Sequence, residues 1–287
     1  MSCFQVRTDL ALEARESIGE AEEIRGVSVE ETYDEKNEIR VTRVIIETKN
    51  GAKAMGKPIG TYTTLEAPRM VEPDENYHQE ISSALAKELK DIIPEAEEEQ
   101  SVLIVGLGNR DVTADALGPN VADNLFITRH VVMEYGKAAY SKSKMNMVSS
   151  IVPGVMAKTG MESAEIIKGV IDQTKPDVVI VVDALAARST KRLNRTIQVT
   201  NTGIHPGSGV GNHRNALTKE SLEVPVIAIG VPTVVDAATI VNDAVSGEMK
   251  VNLAELNNMY VTSKDVDYQI KQISHVICDA LNEALEL

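Results

Sequence analysis

The sequence predicts an α/β domain, a three-layer sandwich whose mostly parallel sheet is covered by helices on both faces, with an N-terminal elaboration. Three observations carry this. Continuous apolar runs of strand length occur at "SVLIVGLG" (101–108), "DVVIVVDALAA" (177–187) and "VPVIAIGVP" (224–232). Runs without polar alternation belong to strands buried on both faces. Segments of helical period separate and follow these strands, an order that implies parallel pairing through crossovers. The first hundred residues, by contrast, read as a half-exposed strand, a glycine-punctuated strand and an amphipathic helix.

Taken in order, "EIRVTRVIIE" (38–47) alternates as a strand with one wet face, and "GKPIGTYTTLEAP" (56–68) reads as a turn and a strand. "HQEISSALAKELKDII" (78–93) has helical spacing, and "PEAEEEQ" (94–100) is a solvated linker. After the first buried strand, "MESAEIIKGVIDQTKP" places Ile166, Ile167, Val170 and Ile171 on one helical face, and Pro176 ends the helix. The last helix opens at a Thr262-x-x-Asp265 cap and carries Val266, Ile270, Ile273, Ile277 and Leu281 at helical spacing. One domain over 10–287 is expected, with 10–100 as the elaboration and 101–287 as the α/β core.

Composition excludes several classes of function. With 287 residues and 43% apolar content, the chain can bury a sizeable core. Aromatics are 3% and Trp is absent, so there are few base-stacking platforms. A net charge of −14 disfavours duplex DNA and anionic membrane as direct partners. The apolar run "VPVIAIGVPTVV" is too short to span a bilayer. Arg7 and Asp9 interrupt any signal-peptide pattern, and Cys3 and Cys278 have no metal or redox spacing. A cytoplasmic, reducing environment is the expectation.

Chemistry is expected where parallel strands end, because ligands collect beyond the carboxyl edge of such sheets. Two acids sit there: Asp183 closes "VVIVVD", and Asp115 follows the glycine turn of "VGLGNRDVTADALGP". Two carboxylates crowding one site share a proton, which supplies an acid and a base together. The plainer alternatives are that Asp115 caps a helix and that Asp183 pairs with Arg188. The turn lacks the third glycine of a dinucleotide fingerprint and has no Walker pattern, so nucleotide binding is poorly supported. In "NTGIHPGSGVGN" (201–212), His205 is a possible metal ligand or acid and Ser208 a possible nucleophile. The flanks of Ser208 do not form a hydrolase elbow.

Eight ordered segments, "FQVRTDLALEA", "GTYTTLE", "VGLGNRDVTADALGP", "NLFITRH", "IVPGVMAKTGMES", "DALAARS", "TGIHPGSGVGN" and "VPVIAIGVPTVVDA", resemble the germination proteases of spore-forming bacteria. The resemblance runs nearly the whole chain. It implies an atypical aspartic endopeptidase of the spore core that degrades small acid-soluble spore proteins. It further implies a homotetrameric zymogen activated by loss of a short N-terminal segment, with Asp115 and Asp183 as the catalytic pair. Asn109, Arg188 and His205 are expected to support that pair, and no cofactor is expected. "GLGN" followed by an acid is more distantly similar to hydrogenase-maturation endopeptidases, whose fold is the one expected here. Those enzymes use strand-end acids and a His to hold a metal, so a metal-assisted mechanism is the alternative. A binding module without chemistry is the third possibility.

The stretch Asp9-Leu-Ala-Leu-Glu13 resembles the site that these proteases cut in spore proteins. Self-cleavage between Asp9 and Leu10, removing residues 1–9, is the resulting expectation. Without the resemblance, "LALEARESIGEAEEI" would read simply as the acid-rich start of an amphipathic helix.

Overall fold

The computed structural model describes residues 8–19, 24–96, 99–136, 145–207, 214–244, 256 and 259–287. Its strands are β1 (Val27–Asp34), β2 (Ile39–Ile46), β3 (Gly60–Glu66), β4 (Ser101–Gly106), β5 (Met147–Ile151), β6 (Val178–Ala187), β7 (Thr196–Thr200), β8 (Val226–Asp236) and β9 (Tyr260–Val261). The α-helices are α1 (Ala11–Ile18), α2 (Lys49–Met55), α3 (Glu75–Ile92), α4 (Leu117–Asn124), α5 (Arg129–Tyr135), α6 (Met156–Thr159), α7 (Ser163–Thr174), α8 (Lys219–Leu222), α9 (Ala237–Ala244) and α10 (Val266–Ala284).

All strands join one sheet in the order β1-β2-β3-β7-β8-β6-β4-β5, with β9 added to β8. The α/β core supplies the parallel part, where β4 lies between β5 and β6, and β6 pairs in turn with β8. The elaboration is not a separate layer. Its β3 pairs antiparallel with β7, so β1–β3 lengthen the same sheet.

Both faces are covered, as double-sided burial of the central strands requires. On one face α3, α4 and α10 bring Ile81, Leu85, Leu117, Val121, Ile273 and Ile277 onto Ile104, Ile180 and Ile229. On the other, α7 lays Ile167 and Ile171 over Leu103, Val105, Val179 and Val181. Each such aliphatic side chain contributes about 1.5–3 kcal/mol on full burial. Helix α7 begins at a capping box in which Glu162 and Glu165 satisfy each other's backbone ends. The Thr262 cap of the last helix is not formed. Helix α10 starts at Val266 without a side-chain cap, and the Thr262 hydroxyl donates instead to the Thr233 carbonyl at 2.8 Å. Among the described residues, no helix is long and apolar enough to cross a membrane.

Candidate active site

The turn after β4 is built on close backbone approach. Gly106 and Gly118 press α4 against the strand ends, since a Cβ at either would overlap backbone of the other element. Leu107 N–H continues the ladder to the Val182 carbonyl at 2.9 Å. Gly108 then takes φ +117°, and a Cβ there would overlap the Asp115 carbonyl oxygen. The Asn109 N–H donates to that same carbonyl at 2.9 Å, closing the loop onto a short 3-10 turn, Thr113–Asp115. The buried Thr233 hydroxyl fastens it from β8 by donating to the Ala114 carbonyl at 2.6 Å. The glycines therefore set the position of a carboxylate. Asp115 is not the cap of α4, because Ala116 holds that position without a side-chain bond. Asp111, the other acid of the loop, pairs with Lys158.

Asp183 lies within β6 and is only 6% exposed. Its Oδ1 accepts from the Ala184 N–H at 2.9 Å. Burial, reinforced by the charge of Asp115, holds its carboxyl well above the ordinary carboxylate value, and Asp9 adds to the same shift. Asp115 is also raised, chiefly by burial, with the Asn109 N–H and the charge of Arg214 pulling the other way. Two acids whose environments both oppose ionisation, one more strongly than the other, are poised to differ in protonation.

The pair opens on a cavity of about 580 Å³ lined by Asp9, Lys57, Asp115, Asp183, Gln198 and Arg214 among others. The N-terminal segment borders it at Asp9. Asp9 N–H donates to the Ala186 carbonyl at 3.1 Å, and Ala186 N–H donates to Asp9 Oδ2 at 2.9 Å. The Asp9 carbonyl accepts from Lys57 Nζ at 2.8 Å and from Gln198 Nε2 at 3.3 Å. Leu10 is wholly buried among Leu185, Ala187 and Val235. From Ala11 the chain is helical, so the helix expected from the acid-rich pattern begins at the Ala of the acid-apolar-Ala site. Glu13, 3% exposed, accepts from Arg188 N–H at 2.7 Å and Ser189 N–H at 3.0 Å, and Arg192 stands 3.4 Å away.

The expected supporting residues act otherwise than their side chains suggest. Asn109 serves the site through its backbone N–H, while its side-chain oxygen accepts from Asp111 N–H at 3.1 Å. Arg188 reaches the segment through its own backbone N–H, and the cation whose charge acts on both acids is Arg214. His205 is exposed on the cavity lining. Ser208 and residues 209–212 of its glycine-rich stretch lie outside the described residues. Among the described residues, no group of three or more His, Cys, Asp or Glu is arranged to hold a metal ion. Lys57, Gln198, Arg192 and Arg214 were not foreseen; the polar face of "TIQVT", opposite Ile197 and Val199, was the available signal for Gln198.

Comparison with known proteins decides the family. The family model described as germination protease matches residues 6–251. The chain belongs to the germination protease family. The germination protease of Caldanaerobacter subterraneus subsp. tengcongensis is 45% identical over 311 residues, covering 98% of this chain and 94% of that one. That of Clostridium perfringens is 43% identical, covering 99% and 96%. A Bacillus cereus germination protease is 47% identical over 256 residues, covering 87% of this chain and 68% of its own. Among solved structures, the hydrogenase maturation protease HycI of Thermococcus kodakarensis aligns at a TM-score of 0.36 and 18% identity, over 68% of this chain and 98% of that one. As a germination protease family member this chain is a peptidase.

Proposed function

We propose that this chain is an endopeptidase that begins the degradation of small acid-soluble spore proteins in the spore core, with Asp115 and Asp183 as its acid–base pair. One observation carries the reading: Asp9, the first residue of the acid-apolar-Ala-x-Glu stretch Asp9–Glu13, lines the same cavity as two carboxyls held above their ordinary range. Asp183, the more buried acid, keeps the shared proton. Asp115, half-buried and facing Arg214, is the ionised base that removes a proton from water. Water oxygen adds to the Asp9 carbonyl carbon, the bond to Leu10 nitrogen breaks, and that nitrogen leaves with the proton of Asp183. The products are a new carboxyl at residue 9 and an amine at Leu10.

In this reading the chain is a zymogen that occupies its own site until it cuts itself between Asp9 and Leu10. A tethered segment competes at high effective concentration, so a separate substrate is kept out until cleavage. The active form is taken to be a homotetramer, which light scattering would test. Incubating the purified chain across pH and reading the new N-terminus by mass spectrometry tests the cleavage. A terminus at Leu10, formed fastest in mild acid and absent in Asp115→Asn, is expected. An intact chain under all conditions, or a cut elsewhere without gain in activity, would overturn it.

A further inference from the structure

We propose that Lys57 and Gln198 form a clamp on the scissile carbonyl, with Lys57 as a third catalytic residue beside the two acids. The proposal rests on the reading above that Asp9–Leu10 is the bond cut. Its geometry is independent of the acids. The Asp9 carbonyl oxygen takes two donors, Lys57 Nζ at 2.8 Å and Gln198 Nε2 at 3.3 Å. Both donors converge on the oxygen where negative charge gathers when water adds to an amide carbonyl, as the donors of an oxyanion hole do.

Several features aim these groups. Gly56 ends α2 in the left-handed region at φ 62°, and the Lys57 N–H folds back to the Ala52 carbonyl at 3.2 Å, which turns Lys57 into the cavity. Gln198 stands on β7 in register with Gly230 of β8, and Gly230 is in register with Asp183 of β6. Residues in register project to the same face of a sheet. Gln198 and Asp183 therefore flank one point on that face, and at that point the sheet has no side chain. The vacated space is taken by Leu185, which a Cβ on Gly230 would strike, and Leu185 packs in turn against Leu10.

The Gln198 side chain grips only the backbone of the segment. Its Nε2 donates to the Asp9 carbonyl, and its Oε1 accepts from Ala11 N–H at 2.7 Å, so the two ends of one amide bracket Leu10. Ala186 adds a backbone pairing on the other side of Asp9. Backbone grips of this kind take any peptide of suitable length, so the same clamp would hold a substrate from another molecule.

The chemistry is balanced and leaves Lys57 unchanged. When water adds to the Asp9 carbonyl carbon, its proton passes to the ionised carboxylate and negative charge gathers on the carbonyl oxygen. The Lys57 ammonium and the Gln198 amide hold that charge. The protonated acid is thereby left to give its proton to the Leu10 nitrogen as the C–N bond breaks. Lys57 is half-buried, and burial pulls its pKa down while the charges of Asp9 and Glu13 push it back up.

Self-cleavage of the full chain tests the clamp, with two readouts. One is the first-order appearance of the Leu10 terminus by mass spectrometry. The other is the hydrogen-exchange protection of residues 8–18. Lys57→Met is expected to slow cleavage about 100-fold, the loss typical of one oxyanion donor, with protection of the segment retained. Lys57→Arg should recover part of the rate. Cleavage within threefold of the unsubstituted chain would overturn the proposal. So would a slow rate that appears only together with lost protection, because Lys57 would then merely tie the segment down. If Lys57→Met does not fold, Lys57→Gln is read by the same two measurements. Failure of the unsubstituted chain to cut at Asp9–Leu10 would remove the underlying reading instead, and is seen separately.

Discussion

Asp183 lies in β6 and Asp115 on the 3-10 turn that follows the neighbouring strand β4, and the charge of Asp115 reaches Asp183 and adds to the effect of its burial. Such a pair works only while it can hold and release one proton between its members. Asp115→Asn and Asp183→Asn should each lower peptide cleavage by about 10²–10⁴-fold, the usual contribution of a positioned acid or base. Circular dichroism and melting should show a retained fold, since an amide keeps the carboxyl's shape. Near-normal turnover by either folded variant would refute the pairing.

The same burial makes Asp183 a cost to stability at neutral pH. Its folded pKa is raised, so the folded state keeps a proton that the unfolded chain has lost above the ordinary carboxylate value. Stability from this group is complete below that value of 3.8 and falls as pH rises toward the folded pKa. Asp183→Asn should accordingly raise the melting temperature at pH 7 by a few degrees, about 2–4 °C per kcal/mol for a chain of this size. The gain should shrink as pH is lowered toward 4. Melting curves of both chains over pH 4–8 check the sign, and a gain that grows on acidification would contradict the cause given.

Much of the frame was legible because burial leaves periodic marks. β2, β3, β4, β6, β8, α3, α7 and α10 all announced themselves by alternation, continuous apolar runs or helical spacing. The placement of Asp115 and Asp183 on one cavity was legible for a related reason, since Asp183 ends such a run and Asp115 lies in the loop after another. β1 was not: nearly all of its residues are exposed, so it carries no alternation to read. Lys57, Gln198 and Arg214 could not be gathered from spacing either. They arrive from α2's end, from an antiparallel strand and from a glycine-rich connection, and only the sheet order places them around one cavity.

Glu13 should decide whether the N-terminal segment stays docked. Its buried carboxylate is the partner of two backbone N–H groups, on Arg188 and Ser189, and lies beside Arg192. Hydrogen bonds to a charged group are worth about 1.5–3 kcal/mol, and removal also leaves buried donors unmet. Glu13→Ala is expected to expose residues 8–18 to limited proteolysis while the sheet core melts nearly unchanged. Equal resistance of the two chains would show that Leu10 burial alone holds the segment.

Exhaustive chelation should leave peptide cleavage unchanged. The donors at hand are two carboxylates and an exposed His205, a weak set for a transition metal. Dialysis against a chelator, followed by assay with and without added divalent ions, measures this. Loss of turnover that zinc or manganese restores would bring His205 to the metal and reverse the assignment.

Two glycines predict opposite outcomes for the same substitution. At Gly108 the backbone has φ +117°, and an added methyl would overlap the Asp115 carbonyl oxygen, an atom fixed by the Asn109 N–H at 2.9 Å. The overlap is with backbone, which cannot swing aside as a flexible side chain could. Gly108→Ala must therefore move the turn that carries Asp115, adding backbone strain of about 1–3 kcal/mol. A displacement near 1 Å costs reacting groups on the order of 100-fold in rate. At Gly169, inside α7, nothing lies within 4 Å of an added Cβ. There Gly169→Ala only stiffens the unfolded chain and favours helix, a gain of about 0.5–1 kcal/mol. Denaturant unfolding and peptide assays of the two variants should thus diverge, the first losing both stability and turnover, the second gaining stability at full activity. If Gly108→Ala kept wild-type turnover, the glycine turn would not be what positions Asp115.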